Sequence, residues 1–225
     1  MEVRARLIAT RLPEEPAAAV VVLHGGGGRR GTTVVSPTQP SVLRMVPIAK
    51  RLAHAGRGRL AVFRLLNSTR GWNPGRTPVD DVRWALERLR TEHRLDVPVS
   101  LVGHSLGGRA AILAGAHPSV SSVVALNPYL YATDGDTDLD GRSVLIVHGT
   151  DDRVADPAIA AAVSHALERS AHVTFVRVRG GKHAMLRRHH LFDGLAAGFV
   201  TTTLLGAPPR GALADVLAGR AGTDV

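Results

Sequence analysis

The chain has no cysteine among its 225 residues. That excludes a disulfide framework, a thiolate nucleophile and a cysteine metal cage, and it fits a reducing compartment. Histidine is not scarce, but no pair shows His-x-x-x-His spacing with a third ligand, so neither a metal nor any other cofactor is expected. Aromatic residues make up only 4%, which leaves no interleaved platform on which bases would stack. Long apolar runs are missing too. The first is Ala17–Leu23, preceded by Pro13 and Pro16, and it reads as a strand rather than a membrane span or a secretory leader. Acidic residues are outnumbered 19 to 28 by Lys and Arg, giving a formal charge of +9. The arginines are scattered rather than massed, so neither nucleic acid nor a membrane is an expected partner. The expected setting is the cytoplasm.

What the sequence does contain is an alternation of strand and helix patterns over a length suited to one domain. Strands are expected at Val3–Ala9, Ala18–Leu23, Leu60–Leu66, Val97–Val102, Ser121–Leu126, Ser143–Val147 and Val173–Val178. Helices are expected at Pro40–Ala55, Val79–His93, Gly108–Ala116, Pro157–Glu168 and Ala184–Val200. Such alternation predicts an α/β fold with a mostly parallel sheet of about seven strands, covered by helices on both faces. Residues 1–205 form the domain on this reading. Gly206–Val225 is a C-terminal tail, left open between a docked segment and a contact between two copies, a homodimer.

The most specific motif is Gly103-His104-Ser105-Leu106-Gly107, a G-x-S-x-G pentapeptide between an apolar run and a small-residue helix. A serine on such a strand-to-helix corner is thrust out of the sheet edge, and the glycines relieve the crowding of the turn. A hydroxyl is a weak nucleophile near neutrality and needs a base oriented by an acid. Two later strand ends offer them. Ser143–His148 runs into Gly149-Thr150-Asp151-Asp152, and Val173–Val178 runs into Arg179-Gly180-Gly181-Lys182-His183. Asp156, just before Pro157 and a helical stretch, reads instead as an N-cap.

With His24-Gly25-Gly26-Gly27-Gly28 after the second strand, these motifs resemble those of the α/β-hydrolases, in order and across nearly the whole chain. The relatives it most resembles are small, cap-less serine hydrolases of the esterase and dienelactone-hydrolase kind. The resemblance implies a triad of Ser105, Asp152 and His183, the acid lying four residues after the His of His148-Gly149-Thr150. It implies an oxyanion hole from the backbone N–H groups of Leu106 and Gly26. Gly25, Gly27, Arg29, Trp72 and Tyr129 are the expected substrate-binding residues. With only Asn127–Gly141 between the fifth and sixth strands, no cap domain is expected and the cleft should be open. The implied activity is cleavage of a small-molecule carboxylic ester or thioester through an acyl-enzyme. An acyltransferase, a metal-free perhydrolase and a non-catalytic binding module on the same fold remain the alternatives.

Overall fold

In the computed structural model, residues 5–26, 34–72, 77–219 and 224–225 are described. Among them the chain forms a seven-stranded sheet of β1 (Arg6–Arg11), β2 (Ala18–Leu23), β3 (Leu60–Leu66), β4 (Val99–His104), β5 (Val120–Leu126), β6 (Ser143–Gly149) and β7 (His172–Val178). The spatial order is β1-β3-β2-β4-β5-β6-β7, and only β1 runs antiparallel, on the edge beside β3. The helices are α1 (Pro40–Ala55), α2 (Thr77–Thr91), α3 (Leu106–Ala114), α4 (Pro157–Leu167), α5 (His189–Leu205) and α6 (Ala212–Leu217).

The uniformly apolar β2 is buried along its whole length, as a strand covered on both faces requires. Its side chains alternate between two cores. Ala19, Val21 and Leu23 face a cluster with residues of α2, α3 and α4, while Ala18, Val20 and Val22 face one with α1, α5 and Leu213 of α6. On α2, Val79, Val82, Leu86 and Leu89 form an inward stripe and are buried. On α1, Val42, Met45, Ala49 and Leu52 are buried together with Ile48.

Most boundaries differ from the sequence reading by a residue or two. The last long helix differs more: it spans His189–Leu205 rather than Ala184–Val200. Met185 and Arg188 both take positive φ (54° and 61°), which breaks the helical path before His189. At the other end Gly206, in the left-handed region, stops the helix and donates its N–H to Thr201 O. Asp156 caps α4 as expected, its Oδ1 accepting from Ala158 N. The tail packs onto the body. Leu213 is buried, and Asp224 pairs with Arg177 of β7. No helix among the described residues is long and apolar enough to cross a membrane.

From β2 the chain steps to β3 on one side, and from β4 it steps to β5 on the other. The connecting helices α1 and α3 therefore lie on opposite faces, and the strand ends of β2 and β4 part between them. A crevice opens at such a reversal, and ligands bind there in open α/β sheets.

Candidate active site

Ser105 stands at that reversal, directly after β4 and directly before α3. Its backbone is at φ 56°, ψ −122°, far from either helix or strand, a strained corner that aims the side chain away from the sheet. The flanking glycines are sterically required. A Cβ on Gly103 would lie 2.1 Å from Gly107 O, and one on Gly107 would lie 2.5 Å from Leu23 O. The elbow can fold this tightly against β2 only with hydrogen in both places.

The loops after β6 and β7 meet Ser105 from the other side. They are clamped together through another glycine pair, where a Cβ on Gly149 would lie 2.2 Å from Gly181 O. Asp151 N donates to Gly181 O, and Gly180 N donates to Thr150 Oγ1. Through this clamp His183 Nδ1 comes 2.8 Å from Asp152 Oδ2, and His183 Nε2 comes 2.9 Å from Ser105 Oγ. Since an ionised carboxylate only accepts, Nδ1 carries the proton and Nε2 is left to accept from the serine hydroxyl. Asp151, by contrast, is exposed.

Asp152 is held as an anion. Burial raises its pKa, but hydrogen bonds from His148, His183 and the backbone of Ala155 and Val154 outweigh that and keep the carboxyl far below the usual carboxylate range. Oδ1 accepts from Val154 N (2.8 Å) and Ala155 N (3.0 Å), and His148 Nε2 lies 3.4 Å from Oδ2.

Gly25 carries the start of the β2 loop over the serine, and a Cβ there would lie 3.0 Å from Ser105 Cβ. His24 fixes this approach: its Nδ1–H donates to Gly25 O, and its Nε2 accepts from Asn67 N. Burial lowers the His24 pKa, in keeping with that neutral tautomer. Gly26 follows at φ 135°, a backbone conformation open to glycine and strained for other residues. Leu106 opens α3, so its N–H has no partner within the helix. Gly25, Gly26, Ser105, Leu106 and His183 share one cleft. Gly27 and Arg29 lie outside the described residues.

The cleft has a cavity volume of about 930 Å³. Trp72 and Tyr129 both line it, as does Tyr131. Arg109 of α3 stacks between Trp72 and Tyr131, its guanidinium 4.4 Å from each ring centre. A bidentate pair with the buried Asp134 holds it there, at 2.8 and 3.0 Å. Asp134 belongs to a short 3-10 helix, Ala132–Asp136, which stands where a cap would have been inserted.

Two residues of this architecture, Asn127 and Arg44, escaped the sequence reading. Asn127, buried at the end of β5, donates from Nδ2 to Lys182 O (3.0 Å) and His183 O (3.1 Å) and accepts from Gly149 N (2.7 Å). It ties the acid loop and the histidine loop to the strand between them. Arg44 of α1 pairs with Asp193 (2.9 Å) and bonds the carbonyls of Ala184 and Met185, securing the segment just after His183. His104 donates from Nε2 to His183 O, and burial pushes its pKa down to about 3. The Asn127-Pro128 dipeptide at a strand end was a usable signal for Asn127. Nothing in the spacing marks Arg44, whose partner lies 149 positions away.

No protein-family model matches the sequence, and no curated protein matches it. Solved structures do match the fold. Est1E from Butyrivibrio proteoclasticus, solved with ferulic acid bound, is 17% identical with a TM-score of 0.65, over 90% of this chain and 95% of that one. A serine hydrolase without a lid from Xanthomonas campestris is 19% identical with a TM-score of 0.65, over 91% of this chain and 90% of that one. A dienelactone hydrolase from Anabaena variabilis is 17% identical with a TM-score of 0.62, over 91% of this chain and all of that one. The seven-stranded sheet, its strand order and the absence of any inserted domain between β5 and β6 are those of a cap-less α/β-hydrolase fold, and that is the fold of this chain.

Proposed function

We propose that this protein is a serine hydrolase that cleaves carboxylic esters or thioesters through an acyl-enzyme. One observation carries the reading: the unbroken hydrogen-bond chain from Ser105 Oγ through His183 to an Asp152 carboxylate held ionised by four donors.

Ser105 Oγ attacks the acyl carbon as its proton passes to His183 Nε2. The carbonyl oxygen becomes an oxyanion between the N–H groups of Leu106 and Gly26, a preorganised pair whose loss costs about 10²–10³-fold in turnover per donor. Asp152 stabilises the imidazolium without taking its proton. When the tetrahedral species collapses, the carbon–oxygen or carbon–sulfur bond to the leaving group breaks, and His183 Nε2–H protonates that group. Water then repeats the sequence on the acyl-enzyme and frees the acid and Ser105. Trp72, Tyr129 and Tyr131 offer flat apolar walls, which favour a substrate with an aromatic or other planar apolar part.

The test is fluorophosphonate labelling read by intact mass, on the wild type and on Ser105→Ala. One adduct on the wild type and none on the variant supports the nucleophile, and hydrolysis of aryl-acid esters and thioesters then ranks substrates. No adduct on either protein overturns the reading.

A further inference from the structure

A second cavity, of about 650 Å³, lies between the C-terminal half of α1, the length of α5 and the tail that carries α6. It shares no lining residue with the Ser105 cleft. Its volume is in the range of small-molecule sites. Arg51, Arg57, Arg59 and Arg210 line it together with His54 and His190, and among the described residues no Asp or Glu does. The four arginines are exposed, and none makes an ion pair with a described residue. Beneath them the lining is aliphatic: Leu191, Leu195, Leu205 and Leu213. Space exists there because α5 is cut away: a Cβ on Gly194 would meet nothing within 4 Å, and one on Gly198 would meet only Leu213.

We infer that this cavity binds a single-chain amphiphile with an anionic head, its alkyl chain on the leucines and its carboxylate or phosphate among the arginines. Charge complementarity decides the head, because planar guanidinium groups pair with such oxyanions through two parallel hydrogen bonds. The lining decides the tail. Among the described residues the lining includes no Trp, Tyr or Phe, and its rings are the exposed imidazoles of His54 and His190, so the leucines offer contact for an alkyl chain and no flat face for an aryl group. A concave pocket of this size also suits one chain better than a bilayer surface. The site is independent of the chemistry at Ser105.

The experiment is titration calorimetry of the full chain below the micelle concentration. The probes are dodecanoate, dodecyl phosphate, dodecyltrimethylammonium, inorganic phosphate and vesicles containing anionic phospholipid. The variants are Gly194→Phe, which fills the cavity, Arg51→Glu/Arg59→Glu, which reverses charge at exposed positions, and Trp72→Ala in the other cleft. One dodecanoate or dodecyl phosphate per chain is expected, and the two probes rank carboxylate against phosphate. Binding should weaken at least tenfold in the charge-reversed protein, disappear in Gly194→Phe and persist in Trp72→Ala. Equal binding by all variants, loss only in Trp72→Ala, equal binding of the cationic amphiphile, binding of inorganic phosphate alone, or binding of vesicles alone would each overturn the inference. The charge-reversed variant keeps the test decisive if Gly194→Phe fails to fold.

Discussion

Two groups of arginines border the two cavities, and they are treated differently by the fold. In the Ser105 cleft, Arg44 and Arg109 are each matched to a carboxylate that is itself nearly buried, Asp193 and Asp134. Around the second cavity the arginines are exposed and carry no such partner among the described residues. A neutralised, hydrogen-bonded arginine is a structural part: it holds the segment after His183 or props a wall of the cleft. An unmatched one keeps its charge for whatever arrives from solution. The same residue type thus does positioning work at one site and offers electrostatic attraction at the other.

The sharpest contrast lies in activity. Ser105→Ala should lower esterase turnover by about 10⁴-fold or more, measured with an activated aryl ester, whereas Arg51→Ala should leave it unchanged. Next come the buried pairs. Arg109→Ala leaves Asp134 uncompensated, and Arg44→Ala does the same to Asp193. Each should cost about 3–5 kcal/mol in urea unfolding, against about 0.5 kcal/mol or less for Arg51→Ala or Arg59→Ala. Similar losses at both sites would erase the distinction. Asn127→Ala should be milder, about 1–3 kcal/mol, because Gly149 N–H loses its buried acceptor. It should also lower kcat more than it raises KM, since it loosens the loop that carries His183.

The effect of pH is the most gradual. His104 is kept neutral in the fold, with its pKa pushed down to about 3 from an ordinary 6.5, and His24 is shifted the same way. In the unfolded chain both take up protons below about pH 6.5. Stability should therefore be full above that value and fall as pH drops toward 3, by about 1.4 kcal/mol per pH unit for His104, with His24 acting in the same direction. The Asp152 carboxylate, shifted downward, adds stability that is present above the ordinary aspartate range and lost as acid titrates it. A urea midpoint unchanged between pH 7 and pH 5 would contradict the buried neutral histidines.

How much of this was readable beforehand follows from the range of each interaction. The buried strand β2, the stripe on α2 and the elbow at Ser105 are local patterns, set by periodicity of two or 3.6 and by the steric needs of one turn. They were legible as they stand. Helix α5 was misplaced because positive φ at Met185 and Arg188 leaves no trace in apolar spacing. Nothing in the local sequence marks Asp134 or Arg109, and only their meeting, with Trp72 and Tyr131 stacked on the arginine, gives them a role.

Sequence alone determined the alternation of strands and helices, the glycines that permit the elbow, and the order of serine, acid and histidine along the chain. These depend on neighbours a few residues apart. Tertiary structure decided the rest. It brought Asp152 and His183 together through the Gly149–Gly181 contact, placed Asn127 between their loops, paired Arg44 with Asp193, and left the cavity beside Gly194 unfilled. Those features depend on side chains brought together from distant parts of the chain by strand order and helix packing, and distances of that kind are not written in any local stretch of sequence.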